Sequence, residues 1–436
     1  MIWMGREDGF PDRAVGATSV RVLMISNSYP PVLGGLQTAV HNIARGLVRR
    51  GHEVRVVSQR HPLHLPAHET VDGVRVERWV CLRPDLRDLL QGRIGLFLGG
   101  VWASPVVARR LAHAMATFQP DVVNIHFPEA FVPFVLEARR HVRHRLVVSL
   151  HGDDVEGWDP AQIKARPAAF QDFSRLLKDA DAITGCSRYL LDEAARLVPA
   201  VAQKAHVIHN GVDPQRFRAA EGYSAPWPYV LAYGRLTKKK GFDLLLEAFA
   251  QLDGRHPQTH LIVAGEGEEE KALLAQAARL GLADRVSFLG RATEEEVVRL
   301  LLGCLFVVVP SRREPFGIVV MEAIGAGRPV LATMVGGIGE YLSEAMAAGS
   351  RNIGAETGPV SGMDRVPAAE EHRRVPMARL VEPNVENLAA AIEEWLTMSE
   401  QDPAAFSRPG PISPERFSWD LVIERYEVVL SDPGWG

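Results

Sequence analysis

Cysteine is scarce in this 436-residue chain. Its three copies, Cys81, Cys186 and Cys304, lie far apart and match no metal-ligand spacing, which points to a reducing, cytoplasmic compartment. No apolar run is long enough to span a bilayer. The N-terminus sets Glu7, Asp8 and Asp12 before Arg13 and has no apolar h-region, so residues 1–18 read as a disordered extension and not as a signal peptide. A large excess of charge is missing too. The net charge of −4 argues against nucleic acid as a partner. Residues 1–205 carry 26 basic against 21 acidic side chains, and the remainder 23 against 32. A mildly basic first half suits an anionic acceptor or a membrane surface, although an imbalance this small also fits an ordinary solvated surface. The dinucleotide fingerprint GxGxxG is absent.

What is present is a soluble globular composition, 47% hydrophobic and 23% charged, in a chain long enough for two or three domains. Arg21 to Ser26 reads as a strand, followed by the loop Tyr29 to Gly35. A helix from about Gln37 to Arg50 and a strand from Glu53 to Ser58 complete a βαβ unit. The Gly34-Gly35 pair is either a tight turn or a point of close approach by a ligand phosphate or sugar. The segment Arg83 to Met115 mixes arginines with Ile94, Leu98 and Trp102. It suits either core packing or a membrane interface, and Gly95, Gly99 and Gly100 weaken any long helix there. Two apolar strands end in His126 and His151, at the strand end where open α/β sheets bind ligands. Gly152-Asp153-Asp154 comes next, where Asp153 and Asp154 are candidates to hold acceptor hydroxyls. Residues 210–228, with Pro214, Pro226 and Pro228, read as a linker.

The second half repeats the strand–turn–helix schedule. Between the strand Tyr229 to Tyr233 and its helix lies Gly234-Arg235-Leu236-Thr237-Lys238-Lys239-Lys240-Gly241. Arg235 and Lys240 are suited to a diphosphate near the helix start, while Lys238 and Lys239 read as solvated. The stretch that organises the chain runs from Val309 to Glu322. A buried strand from Leu305 to Val309 feeds a turn holding Ser311 and Glu314, then a helix from Phe316 to Ala326. A helix N-terminus leaves N–H groups unpaired and favours phosphate. Glu314 and Glu322, eight residues apart, are placed to reach one ligand if the turn and helix hold.

Taken in order, Gly34-Gly35, Asn210-Gly211-Val212-Asp213, Gly234-Arg235-Leu236 with Lys240-Gly241, Gly265-Glu266-Gly267, Phe288-Leu289-Gly290 and Glu314-x7-Glu322 resemble the retaining glycosyltransferases of family 4. The likeness covers roughly residues 20–340 and resumes at 378–430. It implies the α/β GT-B fold, two Rossmann-like doubly wound parallel-sheet domains facing each other across a cleft. The domains would be an acceptor domain at 19–209, the linker 210–228, a nucleotide-sugar domain at 229–410 and a segment 411–436 whose helix returns to the first domain. The resemblance implies a nucleotide-diphosphate sugar donor of UDP or GDP type, no tightly bound cofactor and no metal. Arg235 and Lys240 would neutralise the leaving diphosphate, helped by the backbone of Gly317, Ile318 and Val319, and Phe316 would also line the donor site. Glu314 would contact the donor sugar, Glu322 the ribose and Arg291 the base. His151 would lie near the anomeric carbon and Gly35 near the donor phosphate or the acceptor, with His126, Asp153 and Asp154 towards the acceptor. That acceptor would be a small metabolite, a lipid or a glycan. Apart from the resemblance, the Arg83 to Met115 segment allows peripheral membrane contact through the first domain, at the inner face of the membrane. The departure is a long join at 343–376, either a lid or a floppy insertion. A sugar-nucleotide epimerase of the same fold and a non-catalytic nucleotide-sugar binder are the alternatives.

Overall fold

A computed structural model describes residues 19–32, 34–82, 92–142, 144–218, 220–252, 254–343, 376–407 and 417–431. The chain divides into two compact units, residues 1–210 with 419–436, and residues 211–418. The extension 1–18 and almost all of the join at 343–376 lie outside the described residues.

The first unit is an eight-stranded sheet. Its strands are β1 (Arg21–Ser26), β2 (Glu53–Gln59), β3 (His68–Val71), β4 (Val74–Trp79), β5 (Val122–His126), β6 (Arg145–Leu150), β7 (Ala182–Gly185) and β8 (Ala205–Val207). The order is β3-β4-β2-β1-β5-β6-β7-β8, parallel except for the β3–β4 hairpin. Asp72 and Gly73, both at positive φ, make the tight turn of that hairpin. β5 and β6 are buried along their whole length, as strands covered on both faces must be.

The helix after β1 spans Gly35–Arg49, starting two residues earlier than its spacing predicts and so taking in Gly35. The C-terminal helix Trp419–Ser431 packs against it. Gly46 makes this possible, because a Cβ there would lie 2.4 Å from Ile423 Cγ1. At the rim, Arg50 meets Glu424 and Glu427, and His52 meets Glu427 at 2.8 Å. The glycines at 95, 99 and 100 do not break the helix before β5, which runs 25 residues, Ile94–Phe118, straight through Pro105. Burial of Val107, Leu111, Met115 and Phe118 outweighs the weak propensity, since each large apolar side chain buried contributes about 1.5–3 kcal/mol and a helical glycine costs about 1.

The second unit is a six-stranded parallel sheet of β9 (Tyr229–Tyr233), β10 (His260–Ala264), β11 (Val286–Phe288), β12 (Val307–Val309), β13 (Val330–Thr333) and β14 (Ala378–Val381), in the order β11-β10-β9-β12-β13-β14. Its core closes on Trp395, which meets Phe306 edge-to-face at 5.1 Å. The stretch expected to be a linker is packed into this unit. Val212 bridges to Ser418, Phe217 is buried, and Tyr223 donates its N–H to the carbonyl of Arg299.

Candidate active site

In the second unit the chain leaves β9 towards β10 on one side and returns at β12 on the other. β9 and β12 are therefore neighbours across a topological switch point, where open α/β sheets leave room for a ligand at their carboxyl ends. The loops that follow these two strands are fastened together. The backbone N–H of Arg312 donates to the Lys239 carbonyl at 2.7 Å, and its guanidinium reaches the Lys238 carbonyl at 3.0 Å. The same guanidinium forks both oxygens of Asp243, at 2.6 and 2.9 Å, and Lys238 joins them at 2.6 Å. Burial raises the pKa of Asp243, but the hydrogen bonds from Arg312 and Lys238 outweigh it and hold the carboxyl at about 2. Gly241 is left-handed at φ 70, and a Cβ there would sit 2.0 Å from the Pro310 carbonyl oxygen. Only glycine lets the loops close this far. A second close approach joins the turns after β9 and β10, where a Cβ on Gly265 would lie 1.9 Å from the Gly234 oxygen.

On this frame Lys240 Nζ donates to Glu314 Oε2 at 2.5 Å, and the buried Ser311 hydroxyl donates to the same oxygen at 3.2 Å. Glu314 is itself only 6% exposed. Gly317, at φ 88, interrupts the turn, so the helix begins later than its spacing predicts and spans Ile318–Gly325. Its strand is likewise shorter, Val307–Val309. The first N–H groups of such a helix have no acceptor one turn back. Phe316 is buried against Tyr341, with ring centroids 4.8 Å apart, and this anchors the turn. Glu322 belongs to a separate set, accepting from Tyr233 Oη at 2.7 Å and Arg216 Nη1 at 3.1 Å while its side chain stays 17% exposed. Burial raises its pKa, and Arg216 and the Tyr233 hydroxyl pull it back. Arg235 is exposed two residues past β9. Arg291 faces Glu266 at 3.5 Å, both largely in solvent.

Sequence reasoning missed Arg216, Tyr233, Asp243 and Arg312. Tyr233 is the last residue of its strand, a position that could have marked it. Arg216 was hidden by the linker reading.

In the first unit, His126 ends β5 and His151 follows β6. His126 Nδ1 lies 3.0 Å from His151 Nε2, and the rings stack with centroids 5.3 Å apart. His126 Nε2 is buried without a hydrogen-bond partner among the described residues. An orphaned lone pair costs less than an orphaned N–H, which favours the tautomer in which His126 Nδ1 donates to His151. His151 then carries its proton on Nδ1. Burial pushes His151 down to about 4; burial and the neighbouring His151 take His126 well below its ordinary value. Both rings are neutral at pH 7, so His151 can offer a hydrogen bond but not an imidazolium charge. On the same strands and on β7, Asn124 and Thr184 both donate to the Ser149 hydroxyl, at 2.9 and 2.8 Å, and Tyr426 of the terminal helix is tilted over His126.

Asp154 does not project outward as an acceptor contact would. Its carboxylate turns back to accept the backbone N–H groups of His151 and Gly152, at 3.1 and 2.7 Å. Burial pushes its carboxyl up to about 7 against those bonds. Asp153 opens the short helix Asp153–Glu156. The residues proposed from sequence thus form two groups: Gly35, His126, His151, Asp153 and Asp154 in the first unit, the rest in the second.

Two family models match, Glycosyltransferase Family 4 over residues 33–216 and Glycosyl transferases group 1 over residues 215–351. A GDP-mannose-dependent alpha-(1-6)-phosphatidylinositol monomannoside mannosyltransferase of Mycolicibacterium smegmatis is 30% identical over 340 residues, covering 74% of this chain and 82% of that protein. The chain belongs to glycosyltransferase family 4. A glycogen synthase of Mycobacterium tuberculosis is 29% identical over 372 residues, covering 81% of this family 4 chain and 88% of that protein. Among solved structures, a sucrose-phosphate synthase from Thermosynechococcus elongatus superimposes with a TM-score of 0.67 at 20% identity, covering 93% and 97% of the two chains. The fold of this family 4 glycosyltransferase is GT-B, and the two family models change over within a few residues of the division between its two units.

Proposed function

We propose that this protein is a retaining, metal-independent glycosyltransferase that moves a sugar from a nucleotide-diphosphate sugar to an acceptor nucleophile. The observation that carries the reading is the Lys240–Glu314 pair at the β9/β12 switch point, beside an open helix N-terminus. A diphosphate brings negative charge that Lys240, Arg235 and the N–H groups of Gly317, Ile318 and Val319 would take up. Stabilising the departing diphosphate in this way supplies electrostatically what a metal supplies elsewhere. Glu314, held by Lys240 and Ser311, would accept from the sugar hydroxyls, and Glu322 from the ribose. Arg291 would lie by the base. Neutral His151 would donate from Nδ1 towards the reacting sugar, with Gly35, His126 and Asp153 serving the same step from the first unit. The acceptor would attack on the face the diphosphate leaves, which preserves the anomeric configuration.

The mannosyltransferase relative supports a GDP-type donor and a lipid acceptor; the glycogen synthase relative supports a glycan acceptor. A thermal-shift panel of UDP, GDP, ADP and dTDP, with and without magnesium, tests the donor, since a ligand of the folded state raises the midpoint. One diphosphate should raise it equally under both conditions. A shift that needs magnesium would remove metal independence, and an inverted product anomer by NMR would remove retention.

A further inference from the structure

The helix Ile94–Phe118 has two apolar faces. One is spent on the core through Val107, Leu111, Met115 and Phe118. The other, on the far side of the helix, carries Ile94, Leu98, Val101, Trp102 and Val106 at the i, i+4, i+7, i+8, i+12 spacing that puts them on one stripe. These side chains are 56%, 49%, 46%, 77% and 47% exposed. Single exposed apolar residues are ordinary, but a contiguous stripe three turns long marks an interaction surface. Arg109 and His113, both exposed, continue the same face, with Arg110 beside it. No acidic residue occurs between Asp88 and Asp121.

We infer that this stripe seats the first unit on an anionic membrane surface, with Trp102 and its apolar neighbours at the acyl boundary and Arg109 and Arg110 among the lipid headgroups. The length is wrong for crossing: no helix among the described residues is long and apolar enough to do so. A helix lying in the interface combines an apolar stripe, an aromatic side chain and basic residues, and all three are present. A second copy of the chain fits less well. It would bring together two cationic strips with no carboxylate in either to neutralise them, whereas anionic lipid supplies that charge. This inference is independent of which sugar or acceptor the enzyme uses.

The test is flotation of the full chain with vesicles of phosphatidylcholine alone and of phosphatidylcholine containing one third phosphatidylglycerol. The protein should rise with the anionic vesicles and not with the neutral ones, and added salt should weaken the association. Leu98→Glu with Trp102→Glu should lower the floated fraction about tenfold or more. Both positions are on the surface, so an unchanged thermal midpoint and an unchanged nucleotide-induced shift show that the variant is folded. Arg109→Glu with Arg110→Glu should lower it at least as far, because the apolar stripe without its cations is left in the position of the parent on neutral vesicles. Equal flotation of the Leu98/Trp102 variant, flotation on neutral vesicles to the same extent, or no flotation at all would overturn the inference. So would a concentration-dependent dimer that the same variant abolishes, which would assign the face to a second copy.

Discussion

The two polar centres of this molecule solve opposite electrostatic problems at the same kind of place, the carboxyl ends of parallel strands. In the first unit, His126 and His151 stack on one another, and burial disfavours their charge. In the second, Lys240, Glu314, Asp243, Arg312 and Glu322 are held beside opposite charges or hydroxyl donors. The fold supplies position in both cases. What differs is the partner each buried group is given: another neutral ring in the first centre, opposite charges and hydroxyl donors in the second. The first centre is built for hydrogen bonding without charge, the second for meeting an anion.

The sharpest way to break this contrast is in the second unit. Lys240→Ala removes the cation and strands a nearly buried carboxylate at Glu314. Donor turnover should fall by about two orders of magnitude, read from initial rates, while Glu322→Ala should cost about one. Unchanged kinetics in both would sink the charged-centre description. Gly241→Ala should come next. The added Cβ meets the Pro310 carbonyl and a positive φ together, so the loops must part, at about 1–3 kcal/mol of stability by denaturant titration and with weaker nucleotide binding.

Neutrality of the first centre predicts a pH effect. A histidine whose folded pKa lies below its unfolded value contributes stability above about 6.5 that is lost as pH falls towards 4, because the unfolded chain binds more protons in that window. Asp154, raised to about 7, works in the opposite direction. The difference between parent and variant isolates the pair: between pH 7 and pH 5 the melting midpoint of His126→Asn should fall less than that of the parent. An identical fall would mean that the pair is not neutral. An effect on stability alone is expected where the terminal helix meets its partner. Gly46→Ala should destabilise by about 1–3 kcal/mol through collision with Ile423 without moving donor affinity. Smallest of all, Arg291→Ala breaks an exposed pair with Glu266 and should change stability by less than about 0.5 kcal/mol.

Much of this architecture was legible in the sequence, because parallel strands covered on both faces must read as apolar runs and because glycines mark turns where chains touch. That Lys240 and Glu314 lie in turns after two strands, and Glu322 in the helix that follows, was legible too. The partners of Glu322 were not. Tyr233 and Arg216 lie 89 and 106 residues away, and nothing local to Glu322 encodes them. The fork of Arg312 on Asp243 was missed for the same reason, as was the pairing of Lys238 with Asp243, although Lys238 is solvated as expected, its side chain 64% exposed. The helix through Pro105 was weakened on propensity alone, although its inner face gains more from burial than three glycines cost. The tautomer of the histidine pair depends on one orphaned nitrogen, a fact of packing that no spacing reveals.

Calorimetric titration of the nucleoside diphosphate that passes the thermal panel, into the parent, Lys240→Ala and His151→Ala, tests the division of labour most directly. Binding should weaken at least tenfold in Lys240→Ala and stay within about twofold of the parent in His151→Ala. Equal binding by parent and Lys240→Ala, or a loss confined to His151→Ala, would contradict a donor site built on the charged loops of the second unit.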